Sequence, residues 1–143
     1  MPQANDAQLT ELYTAATGEE VENDEPNASS TGPVNNFDLR LQAVAGNVIG
    51  DSGGDYTLRA DCIDETEARR VPGMSLGPVT QQFDANSPND WEPSPAGNFV
   101  KEQTANISVD PGARGHVLRY VASLVSVNGD VVSFIESNRF ILI

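Results

Sequence analysis

Few side chains in this sequence could carry covalent chemistry. There is one histidine, His116, one cysteine, Cys62, and one serine in a suggestive setting, Ser52 within Gly50-Asp51-Ser52-Gly53-Gly54. A nucleophilic serine needs a base to take its proton, a group that orients the base, and N–H donors for the oxyanion. Ser52 has no histidine before it, and His116 has neither a second histidine nor a cysteine near it in sequence, so it reads as a surface or turn residue at the entrance to a strand. A second type of chemistry is offered by residues 83–98, FDANSPNDWEPSPAGN. Here Trp91 stands among Asp84, Asn89, Asp90 and Glu92, and Pro88, Pro93 and Pro95 stiffen the loop. An aromatic ring beside amides suits carbohydrate stacking, with Trp91 and Asn89 as contacts, and the carboxylates of Asp84, Asp90 and Glu92 suit a hard cation such as Ca²⁺. The spacing lacks the ordered D-x-D-x-D-G of a calcium loop, and the plainer reading is that Trp91 plugs one end of the fold.

The five residues around Ser52 resemble the nucleophile segment of trypsin-type proteases. That resemblance implies a histidine and an aspartate upstream and two barrels to hold them, and a chain of 143 residues is the length of a single domain. The same letters have a simpler mechanical meaning. Phe37 to Ala45 and Tyr56 to Ile63 each alternate apolar and polar residues with the period of a half-buried strand. Glycines and Asn/Asp residues between them supply a turn. No catalytic residue is therefore assigned. Cys62 falls in phase with Tyr56, Leu58 and Ala60 and is expected in the core; a single cysteine also rules out an intramolecular disulfide.

Near the start, Leu9, Leu12, Tyr13 and Ala16 recur at helical spacing and predict a short amphipathic helix over about 6–17, with Asn5 as cap. Residues 18–36 are acidic and rich in Asn, Ser, Gly and Pro, and read as a flexible linker, so that 1–36 form a tail and 37–143 a β domain. Further strands are expected at 74–83, interrupted by Pro78, at 99–109, and in the hairpin HVLRYVASLVSV-Asn128-Gly129-DVVSFIES, followed by a short strand at 139–143. About seven strands with almost no helix in the body predict an all-β, antiparallel two-sheet sandwich. The segment DPGARGHVLRYVASL resembles the corner and F strand of an immunoglobulin-like domain, which implies that fold but no function; a jelly roll is the alternative.

With a two-residue turn at Asn128-Gly129, Val125 opposes Val132. Leu118, Tyr120, Ala122, Leu124, Val131 and Ile135 then share one face, and Val121, Val125, Val127, Val132 and Phe134 the other. A sandwich strand needs only one apolar face, so the second calls for a cover. Two covers suggest themselves: another protein chain, or the N-terminal helix through Leu9, Leu12 and Tyr13.

The net charge is −13, and residues 1–36 hold seven acids and no lysine or arginine, leaving −6 for the remainder. That balance disfavours nucleic acid and anionic lipid. No apolar run approaches the ~20 residues of a membrane span, and no signal peptide is evident, so the expectation is a soluble chain with no membrane insertion and no obligatory cofactor. The function expected from these features is a non-enzymatic interaction or assembly module, a structural or accessory subunit or an adhesion domain, with self or another protein as partner. A carbohydrate- or calcium-binding module built on residues 83–98 is the alternative.

Overall fold

The computed structural model describes residues 6–47, 53–84, 91–94, 97–127, 129 and 131–143. It is all-β, with two antiparallel sheets and no α-helix among the described residues. One sheet runs β1 (Ala7–Ala15), β2 (Asn36–Ala45), β7 (Phe99–Ser108), β6 (Glu92–Pro93). The other centres on β3 (Gly53–Asp64) paired with β8 (Val117–Ser126). β9 (Val132–Glu136) and β10 (Phe140–Ile141) flank β8, while β4 (Arg69–Arg70) and β5 (Leu76–Asp84) flank β3. Each long strand takes its place because its alternation gives one apolar side to bury. In β2 that side is Phe37, Leu39, Leu41, Ala43 and Ala45; in β3 it is Tyr56, Leu58, Ala60 and Cys62; in β8 it is Leu118, Tyr120, Ala122 and Leu124. These meet between the sheets, where Tyr120 stacks on Phe140 at 5.7 Å and Phe140 contacts Phe37 at 5.6 Å.

The N-terminal helix expected over 6–17 is a strand. β1 pairs with β2 from Ala7↔Ala45 to Ala15↔Asp38, and its register slips between Leu9 and Glu11. This is a β-bulge: Thr10 and Glu11, both exposed, together oppose Gln42, and Thr10 Oγ1 lies 3.0 Å from Gln42 Oε1. One added residue turns the strand spacing of two into three, so Leu9 and Leu12 both point inward, at helical spacing, from an extended backbone. Tyr13, expected to share their face, lies on the opposite side and is half-buried.

Residues 18–36 contain little apolar surface, yet hydrogen bonds tie them to the body. Asn27 is fully buried; its Nδ2 donates to Ile143 O at 2.7 Å and its Oδ1 accepts from Ile143 N at 3.1 Å. Ile141 N donates to Asp24 O at 2.8 Å, and Gly18 N to Asp38 Oδ2 at 2.8 Å. With both amide atoms of Asn27 occupied in the interior, the Asn27-Ala28-Ser29 triplet is no glycosylation acceptor in the folded chain.

The two sides of the sandwich are finished differently. On one, β1 lies beside β9, and two of its N–H groups are capped by side chains of β9 and the connection that follows it: Leu9 N donates to Ser133 Oγ at 2.9 Å and Thr14 N to Asn138 Oδ1 at 3.1 Å. On the other, between β5 and β7, a small apolar cleft of about 120 Å³ opens among Leu39, Leu41, Leu58, Leu76, Val79 and Ala105. Gln81 Nε2 donates to Gln103 Oε1 across this side at 3.3 Å. No helix among the described residues is long and apolar enough to cross a membrane.

Candidate functional site

The hairpin β8–β9 forms with Val125 opposite Val132, as its sequence predicts. Ser123 opposes Phe134 and Val121 opposes Glu136, so these six side chains share the outer face of the second sheet. On β3 the same face carries Thr57, Arg59 and Asp61, opposite Val125, Ser123 and Val121. Phe134 is 68% exposed, Val132 55% and Val127, just past the end of β8, 70%; Val121 and Val125 are half-buried. Among the described residues, the N-terminal segment does not cover this face. Leu9 and Leu12 are spent in the core, and β1 lies along the edge at β9 and not over its outer face.

The outer face of the first sheet makes a contrast. There Glu11 and Tyr13 of β1, Arg40 and Gln42 of β2, and Glu102 and Thr104 of β7 line a shallow polar depression. Gln42 Nε2 donates to Glu102 Oε1 at 3.2 Å. One outer face is thus mainly polar, its two valines, Val44 and Val100, half-buried, whereas the other exposes Val132 and Phe134.

Ion pairs border the apolar face. Asp61 takes Arg59 at 2.8 Å and Arg70 at 2.7 Å, so the basic pair Arg69-Arg70 is matched by local acids, Arg69 meeting Glu67 at 3.2 Å. At the β9 end, Arg119 bridges Glu65 at 2.7 Å and Glu136 at 3.0 Å, and Arg139 meets Glu65 at 2.9 Å. The hydrogen bond from Arg139 is the largest influence on Glu65 and, with the Arg119 guanidinium, holds its carboxyl below the usual range. Beyond Glu136 a groove of about 640 Å³ runs between β1 and β9, lined by Glu11, Glu20, Glu22 and Glu136 together with Tyr13 and Asn138.

Residues 83–98 give a different picture. Trp91 is fully buried, edge-on to Tyr56 at 5.9 Å and against Phe83 at 5.3 Å. Its Nε1 donates to Tyr56 Oη at 3.3 Å, and Tyr56 Oη donates to Gln81 Oε1 at 2.6 Å. Burial pushes the Tyr56 hydroxyl up to about 12. The indole therefore closes the end of the core and leaves no ring face for a sugar to stack on. Glu92 is exposed on β6, whereas Asn89, Asp90 and the side chain of Asp84 lie outside the described residues. Among those described, no three His, Cys, Asp or Glu groups are placed to hold a metal.

His116 is not the solitary residue its sequence context suggests. Its Nδ1 lies 2.6 Å from Asp64 Oδ2, and its Nε2 3.7 Å from Glu67 Oε1. Asp64 is fully buried, accepts from Glu67 N at 3.0 Å, and has Arg69 Nη2 at 3.7 Å. Burial acts most strongly on Asp64 and would raise it, but the hydrogen bonds from His116 and Glu67 N with the nearby positive charges outweigh burial and leave it below the ordinary carboxylate value. The visible signal in the sequence was phase: Asp64 continues the inward series Tyr56, Leu58, Ala60, Cys62, a carboxylate at a core position that must find a partner. Among the described residues, the groups shown at His116 are the carboxylates of Asp64 and Glu67, and neither a serine or threonine hydroxyl nor a cysteine thiol is shown at its Nε2. Cys62 is buried, and burial foremost, with the charge of Asp64, pushes its thiol up to about 12. Ser52 lies outside the described residues. The chain matches no protein-family model, no curated protein and no solved structure.

Proposed function

We propose that this chain is a non-enzymatic β-sandwich assembly module that joins another protein through the outer face of β8 and β9. The observation that carries the reading is the asymmetry of the two outer faces: one is polar except for the half-buried pair Val44 and Val100, the other offers Phe134 and Val132 exposed beside half-buried Val125. Folded monomers rarely leave a contiguous apolar patch of more than a few hundred Å² in water, and such patches mark interfaces. An aromatic centre bordered by paired ions is also the usual anatomy of an interaction surface. The order β1-β2-β7-β6 facing β9-β8-β3-β5 supports an immunoglobulin-like arrangement, in which β2, β3, β7, β8 and β9 take the places of strands B, C, E, F and G. The docking face is then the outer side of the sheet containing C, F and G.

The test is site-specific photocrosslinking in the cells that make the protein, with a benzophenone side chain at position 134 or, as the control, at 104 on the polar outer face. A discrete crosslinked protein from 134 and none from 104 is the expected result. Equal products from both positions, or none from either, would remove the reading.

A further inference from the structure

We infer that the partner seated on the β8–β9 face presents an apolar contact bordered by lysine or arginine, and is not a second copy of this chain. This rests on the docking reading above and names the chemistry of its occupant. The apolar centre is small: three exposed side chains and two half-buried ones offer at most a few hundred Å², well short of the ~800 Å² per partner of a standard interface. A stable contact must therefore extend over the border, and the border decides what fits. Toward β1 that border is the groove with Glu11, Glu20, Glu22 and Glu136, and Glu136 belongs to both surfaces, opposite Val121 on the apolar face. The bases near it are engaged: Arg119 with Glu65 and Glu136, Arg139 with Glu65. Glu20 has Arg40 at 3.7 Å, while Glu11 and Glu22 have no basic group in ion-pair range among the described residues. A second copy would bring the same acidic border and a net charge of −13 to a surface that already carries them. A basic border would neutralise it and would also be steered toward it.

The probes are two synthetic peptides, one alternating lysine with valine and phenylalanine, the other identical but with glutamate for lysine. Binding to the full chain is followed by NMR through the methyl signals of Val125 and Val132 and the ring of Phe134, and the chain alone is sedimented. Expected is that the lysine peptide shifts these signals and binds about tenfold more tightly than its twin, the yield of three or four exposed ion pairs of ordinary strength. That advantage should vanish in high salt and shrink in Glu11→Gln/Glu22→Gln, and binding should be lost in Phe134→Ser, an exposed change that leaves the fold intact. Equal binding of both peptides at these signals, or a dimer of the wild type that Phe134→Ser dissolves, would overturn the basic-partner inference and leave the docking face standing. Lysine-peptide binding that Phe134→Ser does not weaken, or no shift with either peptide, would overturn the docking face itself.

Discussion

Asp64 keeps a charge in the interior because two donors, His116 Nδ1 and Glu67 N, and the Arg69 guanidinium surround it, and that has a pH signature. Its folded-state value lies below the ordinary one of ~3.8, so its contribution to stability is complete above that value and is lost as the pH falls through the folded-state value. Asp64→Ala should cost about 2 to 3 kcal/mol at neutral pH, since it strands His116 and the Glu67 N–H, and should flatten the loss of stability as the pH falls below that ordinary value, as read by chemical denaturation at a series of acidic pH values. Cys62 makes the complementary case. With its thiol near 12 and no exposure, it should not react with a thiol reagent at neutral pH until the chain is unfolded; prompt labelling of the native chain would contradict its placement. Both residues were marked in the sequence by strand phase, Cys62 with its meaning and Asp64 without it. The partner of Asp64, His116, sits 52 positions away, immediately before β8, and the β3–β8 pairing brings the two together.

Among the elements, β1 shows why a pattern can be read correctly and assigned to the wrong backbone. The spacing Leu9 to Leu12 is that of a helix face and equally that of a strand carrying one bulge, and composition does not separate the two; what does is the free edge of β2, which is invisible until the sheet is assembled. The distinction can be tested directly. Deleting Thr10 would rotate one apolar residue off a helix face, but in the strand it removes the bulge and leaves Leu9, Glu11 and Leu12 alternating in, out, in. The deletion should preserve cooperative unfolding within about 5 °C of the parent melting temperature, a cost of ~1 to 2 kcal/mol. The opposite holds at Gly77, which precedes the body of β5 at φ +74°; a Cβ there would stand 2.6 Å from Leu58 O and 2.9 Å from Val79 N. Gly77→Ala should cost at least ~1 to 3 kcal/mol by thermal or denaturant melting. The central strands were legible because they alternate cleanly. The two-residue strands β4 and β6 were not, because pairs so short carry no period and exist only through β3 and β7.

For the whole molecule, β1 supplies Ala7, Leu9, Leu12 and Ala15 to the core, so removing residues 1–17 should abolish cooperative folding, whereas loss of an independent tail would leave the melting curve unchanged. The candidate face was legible from the hairpin register, since one Asn-Gly turn fixes every pair along β8 and β9; that it stands open was not, because it depends on where β1 goes. The contrast between the two sides of the sandwich has a further result. Held along one side by the side-chain caps on β1 and parted on the other by the cleft between β5 and β7, the fold is bound like a book, with a spine and a fore-edge. Thermal opening should begin at the fore-edge, and amide hydrogens of β5 should exchange with solvent well before those of β1. The page that lifts first is Leu76 to Phe83, a stretch without a single charged residue, so Pro78 and the native net charge are what guard that edge against fibre growth, and raising the salt should shorten the lag before fibres form.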